Sequence, residues 1–153
     1  MIAVLQRVSH AAVMVEGDTV GEIDRGLLIL LGVGKGDTRE DAERLAAKIA
    51  ACRIFLDGTD KMNLSLVDIG GGALVVSNFT LLADYSHGNR PSYFDAAPPD
   101  EADALYRYFC DVLRPLVASL ATGVFGADMK INMVADGPVT ITMDSKILKK
   151  GRG

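Results

Sequence analysis

Three short stretches carry residue types that can do chemistry. Ser77-Asn78-Phe79-Thr80-Leu81 closes an apolar run with hydroxyl, amide, aromatic and hydroxyl in succession. A strand end is a place where rigid backbone N–H groups can be aimed at a developing oxyanion. The same residues also suit a plain strand terminus, with Ser77 and Thr80 bonding local backbone. Neither hydroxyl has a base beside it in sequence, which speaks against a covalent nucleophile. Gly32-Val33-Gly34-Lys35-Gly36 lies between a strand and a helix, the setting of a phosphate or dinucleotide loop, with Asp57 downstream as a ribose ligand. The spacing is GxGxG rather than GxGxxG, and no Lys-Ser or Lys-Thr pair follows. A flexible strand-to-helix connection accounts for it better. Gly137-Pro138 falls between two strand-like runs, where proline removes a ladder donor. It reads as an ordinary turn or as a rigid loop presenting carbonyls at the edge of a site.

The remaining chemistry-bearing residues are sparse. Cys52 and Cys110 each fall in a helical pattern and outside any CxxC pair, as reduced packing residues. His10 and His87 are the only histidines, and they lie far apart in sequence. No metal ligand set is expected.

The elements that must position these groups follow from periodicity. Ile2 to Val8, Ala11 to Val15 and Thr19 to Ile23 read as strands, with a turn at Gly17-Asp18. Gly26 opens the run Leu27-Leu28-Ile29-Leu30-Leu31, a strand covered on both faces. Thr38-Arg39-Glu40-Asp41 is a capping-box variant that starts a helix, with Ala42, Leu45, Ala46, Ile49 and Cys52 on its apolar face. Gly70-Gly71-Gly72 turns into the strand Ala73 to Ser77. Pro98-Pro99-Asp100 precedes a second helix, with Asp100 as its expected cap and Leu105, Phe109, Val112, Leu113 and Leu116 as its stripe. Pro115 should end or kink that helix. Closing strands are expected near Met129 to Val134 and Val139 to Met143. The implied fold is mixed α/β (α+β), a mostly antiparallel sheet with two main helices, in a single domain over residues 1–153.

Composition sets the outer bounds. The chain of 153 residues is 49% hydrophobic and 24% charged, ordinary for a globular protein. No apolar run approaches the roughly 18 residues of a membrane span. The opening residues read as a first strand rather than a signal peptide, so cytoplasmic residence is the default expectation. A net charge of −4 argues against broad, non-specific binding of nucleic-acid backbone, though not against recognition of a short RNA end. The one basic cluster, Lys146 to Arg152 within the tail 145–153, reads as a solvated terminus.

Taken in order, these segments resemble the D-aminoacyl-tRNA deacylase (D-tyrosyl-tRNA deacylase) family. The resemblance runs through Met1 to Val8, Gly26 to Gly34, Lys61-Met62-Asn63-Leu64, Arg90-Pro91-Ser92 and Thr122 to Met129. Ser77 to Leu81 matches the family's SQFTL, and Ala135 to Thr140 its NxGPVT. Asn78 stands where Gln is usual, and Ala135 where Asn is usual. The match spans about residues 1 to 144.

The resemblance implies a barrel-like sheet and a homodimer with its active site at the subunit interface, acting without cofactor or metal on the 3′ end of D-aminoacyl-tRNA. It implies hydrolysis of the ester to free D-amino acid and tRNA, a proofreading step in translation quality control that also removes glycine mischarged on tRNA-Ala. Ser77, Asn78, Phe79 and Thr80 are implied at the catalytic centre, with the RNA 2′-OH assisting. Gly137 and Pro138, joined by a cis bond, would select chirality in the partner's pocket, braced by Arg7. Phe125 and Met129 would hold the adenosine. Without the resemblance, Arg7 reads as a surface ion pair, and Phe125 and Met129 as core. Two other classes stay open: a nucleotide-binding module built on Gly32 to Gly36, and a non-catalytic RNA-end-binding domain of the same fold.

Overall fold

A computed structural model describes residues 1–148, so Lys149 to Gly153, most of the basic tail, lie outside the described residues. Strands β1 (Ile2–Val15), β2 (Asp18–Ile23) and β3 (Gly26–Gly32) come first, followed by helix α1 (Arg39–Ala51). Short strands β4 (Phe55–Leu56) and β5 (Met62–Leu64) pair with each other and lead into the one-turn helix α2 (Leu66–Ile69). Then come β6 (Gly72–Ser77), helix α3 (Pro99–Leu113), β7 (Ser119–Thr122) and β8 (Lys130–Asp144). The main sheet has the order β2-β1-β3-β6-β7, with β8 pairing β1.

β1 pairs antiparallel with β3 through its first half, with β2 through its second half, and with β8 along most of its length. β3–β6 and β6–β7 are parallel instead, because α1 and α3 carry the chain back across the sheet between them. The sheet curls until β2 and β7 meet. A Cβ added at Gly21 would lie 2.5 Å from the Thr122 carbonyl oxygen, so only glycine permits this approach. The result is a mixed α+β fold with a nearly barrel-shaped sheet and two main helices.

The apolar run of β3 feeds two cores. Leu27, Ile29 and Leu31 point to the helices, against Leu45 and Ile49 of α1 and Phe109 and Leu113 of α3. Leu28 points the other way, into a smaller cluster with Val8, Ala11, Val13, Ile23, Leu74 and Val76, with Leu30 packed at its edge. β6 divides its side chains in the same manner. Burial on both faces is why these strands lack polar alternation.

The first helix starts as expected. Thr38 caps α1 in a reciprocal box with Asp41, and Ala42, Leu45, Ala46 and Ile49 are buried. Cys52 is the C-cap residue just past the helix and is only half-buried. The second helix begins two residues early. Pro98 is its N-cap and Pro99 its first residue, since proline already has helical φ and no N–H to leave unsatisfied. Asp100 therefore sits in the first turn rather than at the cap. Tyr106 and Cys110 join Phe109 and Leu113 in the buried face, while Leu116 is exposed. The helix stops at Leu113, and Pro115 lies in a following 3-10 turn.

Two strand pairs expected from sequence are continuous. Ile2 to Val15 is one strand, and so is Lys130 to Asp144. In the latter, Gly137-Pro138 is not a reversal. Gln6 faces Thr140 and Val8 faces Ala135, so residues 136–139 bulge out opposite Arg7 alone. The Gly137-Pro138 bond is cis, as expected. Gly137 has φ 128, and a Cβ there would meet Val139 N at 2.8 Å.

The α-amino group of Met1 is buried. It pairs with Asp37 Oδ2 at 2.9 Å and donates to Ser145 Oγ at 2.7 Å, tying β1 to the start of α1 and the end of β8. Removing one partner strands a desolvated charge, so Asp37→Ala is expected to cost about 3 kcal/mol. Urea denaturation checks this: the midpoint should fall with the slope unchanged.

Candidate active site

At Ser77 the chain leaves the rigid β6 and enters a 3-10 turn, Phe79 to Leu82. The Asn78 N–H still donates to the Leu31 carbonyl at 2.8 Å, so the turn begins in register with β3. The first N–H groups of such a turn have no acceptor within it. Among the described residues, neither Phe79 N nor Thr80 N donates a hydrogen bond. Two donors are thus presented side by side on a firm scaffold. The Thr80 hydroxyl donates to Asn78 Oδ1 at 2.5 Å, within the segment, rather than to a base.

Beside this segment lies a cleft of about 980 Å³, which Ser77, Asn78, Phe79, Thr80, Phe125 and Met129 all line. The structure therefore brings the first and last of these expected segments together across the fold. Phe125 and Met129 are half-buried: each packs against a core cluster and also walls the cleft. A Cβ at Gly123 would come within 2.5 Å of the Met129 sulfur, so Gly123 lets that side chain lie over the strand. Phe125 tilts against Tyr106 with ring centroids 6.0 Å apart, and the Tyr106 hydroxyl donates to the Val75 carbonyl at 2.9 Å. Burial, and then the neighbouring Cys110, hold the Tyr106 hydroxyl well above the usual phenol range, making it a structural donor rather than an acid.

Three cleft residues that carry a cation or an aromatic ring lie outside the expected catalytic, selectivity and adenosine-binding sets. Lys35, Tyr93 and Phe94 also line it. Tyr93 meets Phe79 edge-on with ring centroids 5.0 Å apart. Lys35 sits in the glycine-rich loop, and its signal was hidden there among the glycines. A long-range bridge between Gly34 and Ala96 carries it to the cleft.

Gly137 and Pro138 are exposed and do not line this cleft in their own chain. Arg7, beneath them, is buried rather than paired at the surface. Its Nη1 donates to the Ile54 carbonyl at 2.8 Å, and its Nε to the Asp136 carbonyl at 3.0 Å. The Asp136 carboxylate lies 3.4 Å from the same Nε. These partners offset the desolvation of the guanidinium and fix the base of the bulge.

Other chemistry is poorly supplied. Burial pushes the Cys110 thiol up to about 11 and also raises Cys52, the opposite of an activated thiolate. His10 lies between Glu22 and Asp24 on the β1–β2 hairpin, at 3.4 Å from each, and outside the cleft. The glycine-rich loop is already filled: the Gly34 N–H donates to Asp37 Oδ2 at 2.6 Å, where a phosphate oxygen would sit. The capping box likewise takes up donors at the start of α1. This loop does not fit a nucleotide phosphate. Among the described residues, no helix is long and apolar enough to cross a membrane.

Comparison with known proteins agrees with this geometry. The family model described as D-Tyr-tRNA(Tyr) deacylase matches residues 4–144. A protein named D-aminoacyl-tRNA deacylase from Anaeromyxobacter dehalogenans (strain 2CP-C) is 54% identical over 148 residues, covering 97% of this chain and 99% of that one. One of the same name from Jannaschia sp. (strain CCS1) is 57% identical, over 95% of this chain and 99% of its own. Among solved structures, the c-Myc DNA Unwinding Element Binding Protein superposes with TM-score 0.89 at 37% identity, over 94% of this chain and 98% of that one. A probable eukaryotic D-amino acid tRNA deacylase shares the fold with TM-score 0.80 at 16% identity, over 93% and 97%. With a family model over nearly its whole length and close full-length relatives, the chain belongs to the D-Tyr-tRNA(Tyr) deacylase family.

Proposed function

We propose that this protein is an enzyme that hydrolyses the ester between a D-amino acid and the 3′-terminal adenosine of tRNA, releasing both. One observation carries the reading: Phe79 and Thr80, whose N–H groups have no acceptor among the described residues, line one cleft together with Phe125 and Met129. Phe125 and Met129 hold the adenine, which leaves the ester carbonyl near the donors. As water attacks, charge develops on the carbonyl oxygen, and the two N–H groups stabilise it. An aminoacyl ester is already activated, so no strong base is required. The vicinal 2′-OH of the terminal ribose orients or activates the water.

Selection of chirality falls to Gly137 and Pro138, acting on the cleft of a second copy. The bulge stands clear of its own cleft, exposed, with Arg7 fixing its base. Its carbonyls accept from the substrate α-ammonium group, and its backbone fills the space that an L side chain would need. Glycine, lacking a side chain, passes. The homodimer this requires is supported by the exposed apolar side chains of β8, where Ile131 (36%) and Met133 (43%) share one face and Val134 (57%) lies on the other.

The test is hydrolysis of matched D- and L-aminoacyl-tRNA, with glycyl-tRNA alongside. Turnover of the D and glycyl esters is expected, with the L ester slower by at least about 100-fold, since steric exclusion exceeds what a missing methylene supplies. Binding of charged tRNA without turnover would overturn the enzymatic reading.

A further inference from the structure

We infer that Lys35 and Phe94 form a subsite for the nucleotide immediately 5′ of the terminal adenosine, Lys35 taking the phosphodiester that joins the two and Phe94 stacking the preceding base. The inference rests on the deacylase reading. An adenosine held between Phe125 and the Phe79–Thr80 turn is the end of a strand, and the strand must leave over the rim of the cleft. The protein carries a net charge of −4, so a cation is needed where the phosphate crosses. Among the described cleft residues Lys35 is the unpaired cation. Asp128, also on the rim, pairs with Lys130 at 3.2 Å, whereas Lys35 has no carboxylate partner among the described residues.

Lys35 rests instead over the Phe94 ring, its Nζ 3.4 Å from the centroid. Phe94 is 75% exposed, so its ring is accessible to a ligand at the rim of the cleft. The two side chains belong to separate segments joined by backbone: the Lys35 N–H donates to the Asp95 carbonyl at 2.9 Å, and Ala97 N–H to the Val33 carbonyl at 3.0 Å. That frame does not depend on either side chain. In the free protein the ammonium occupies the ring face. On arrival of the strand it moves to the phosphate, and the face it leaves is open to the base. A cation beside an aromatic platform is the combination that binds single-stranded nucleic acid.

The experiment compares D-aminoacyl-tRNA with D-aminoacyl-adenosine, a nucleoside ester that lacks the 5′ phosphate and the preceding base. Lys35→Met and Phe94→Ala are each expected to raise KM for charged tRNA about tenfold, with kcat within about twofold. Hydrolysis of the nucleoside ester should be unaffected. Lys35→Met should also flatten the salt dependence of KM for tRNA by about 0.7 in log–log slope, the loss of one single-strand phosphate contact, and Lys35→Arg should restore it. As a second readout, inhibition by the dinucleotide cytidylyl-adenosine should weaken in both variants while inhibition by adenosine stays constant. Equal losses on both substrates, no loss on tRNA, or a changed oligomeric state in Phe94→Ala would overturn the subsite. Failure of the unaltered protein to hydrolyse either ester would instead overturn the deacylase reading beneath it.

Discussion

Met133→Asp combined with Val134→Asp is expected to give a folded monomer that has lost at least about 1,000-fold in kcat/KM on D-aminoacyl-tRNA. Neighbouring residues on a strand point to opposite faces, so the pair places charge on both faces of β8 whichever one meets the second copy. Burying an unpaired carboxylate at an interface costs several kcal/mol, enough to dissociate a dimer at working concentrations. The monomer keeps the Phe79–Thr80 donors and the Phe125–Met129 wall, because neither residue lies among them. It lacks the Gly137-Pro138 bulge of the second copy, and with it the carbonyls proposed to hold the α-ammonium group. Light scattering, circular dichroism and single-turnover hydrolysis separate the possibilities. A monomer with full activity and selectivity would place the whole site within one chain.

Replacing the terminal ribose by its 2′-deoxy form is expected to slow hydrolysis by about 100- to 10,000-fold, the range spanned by general acid–base assistance. The 3′-linked ester, the amino acid and the adenine are unchanged by this edit, so binding should hold while the chemical step suffers. Thr80→Ala is the protein-side companion. Its hydroxyl is committed to Asn78, and its proposed contribution to the oxyanion is a backbone N–H that alanine retains. A loss of about tenfold or less is expected, from a looser turn. A trapped acyl group on Thr80, or an undiminished rate on the deoxy substrate, would move the chemistry from the RNA to the side chain.

Much of this architecture can be read before folding because it depends on local rules. The unbroken run Leu27 to Leu31 announces a strand covered on both faces, and the alternation of its side chains between two cores follows from the pleat. The Thr38 box fixes the start of α1 by local hydrogen bonds. What escapes is what depends on distant partners. Gly-Pro is a turn signal in sequence, yet pairing with β1 on both sides of it makes β8 continuous. Arg7 sits in a strand that could present it to solvent, and only its distant partners, Ile54 and Asp136, make its burial tolerable. Lys35 and Phe94 are remote in sequence and meet through a bridge between Gly34 and Ala96 that no periodicity encodes. Asn78, an apparent departure, proves self-consistent: its shorter side chain accepts the Thr80 hydroxyl.

The two-handed grip of Arg7 has an evolutionary corollary. One guanidinium holds the Asp136 carbonyl under the proposed selectivity bulge and the Ile54 carbonyl in the connection between α1 and β4. Any drift in that connection is therefore felt by the bulge, although residues 52–55 do not line the cleft. A laboratory selection for variants that accept L-amino acids should then enrich two groups of changes. One group alters the bulge itself. The other sits around residues 52–55, where a small shift of helix against sheet retunes stereochemistry from a distance while the oxyanion donors stay as they are.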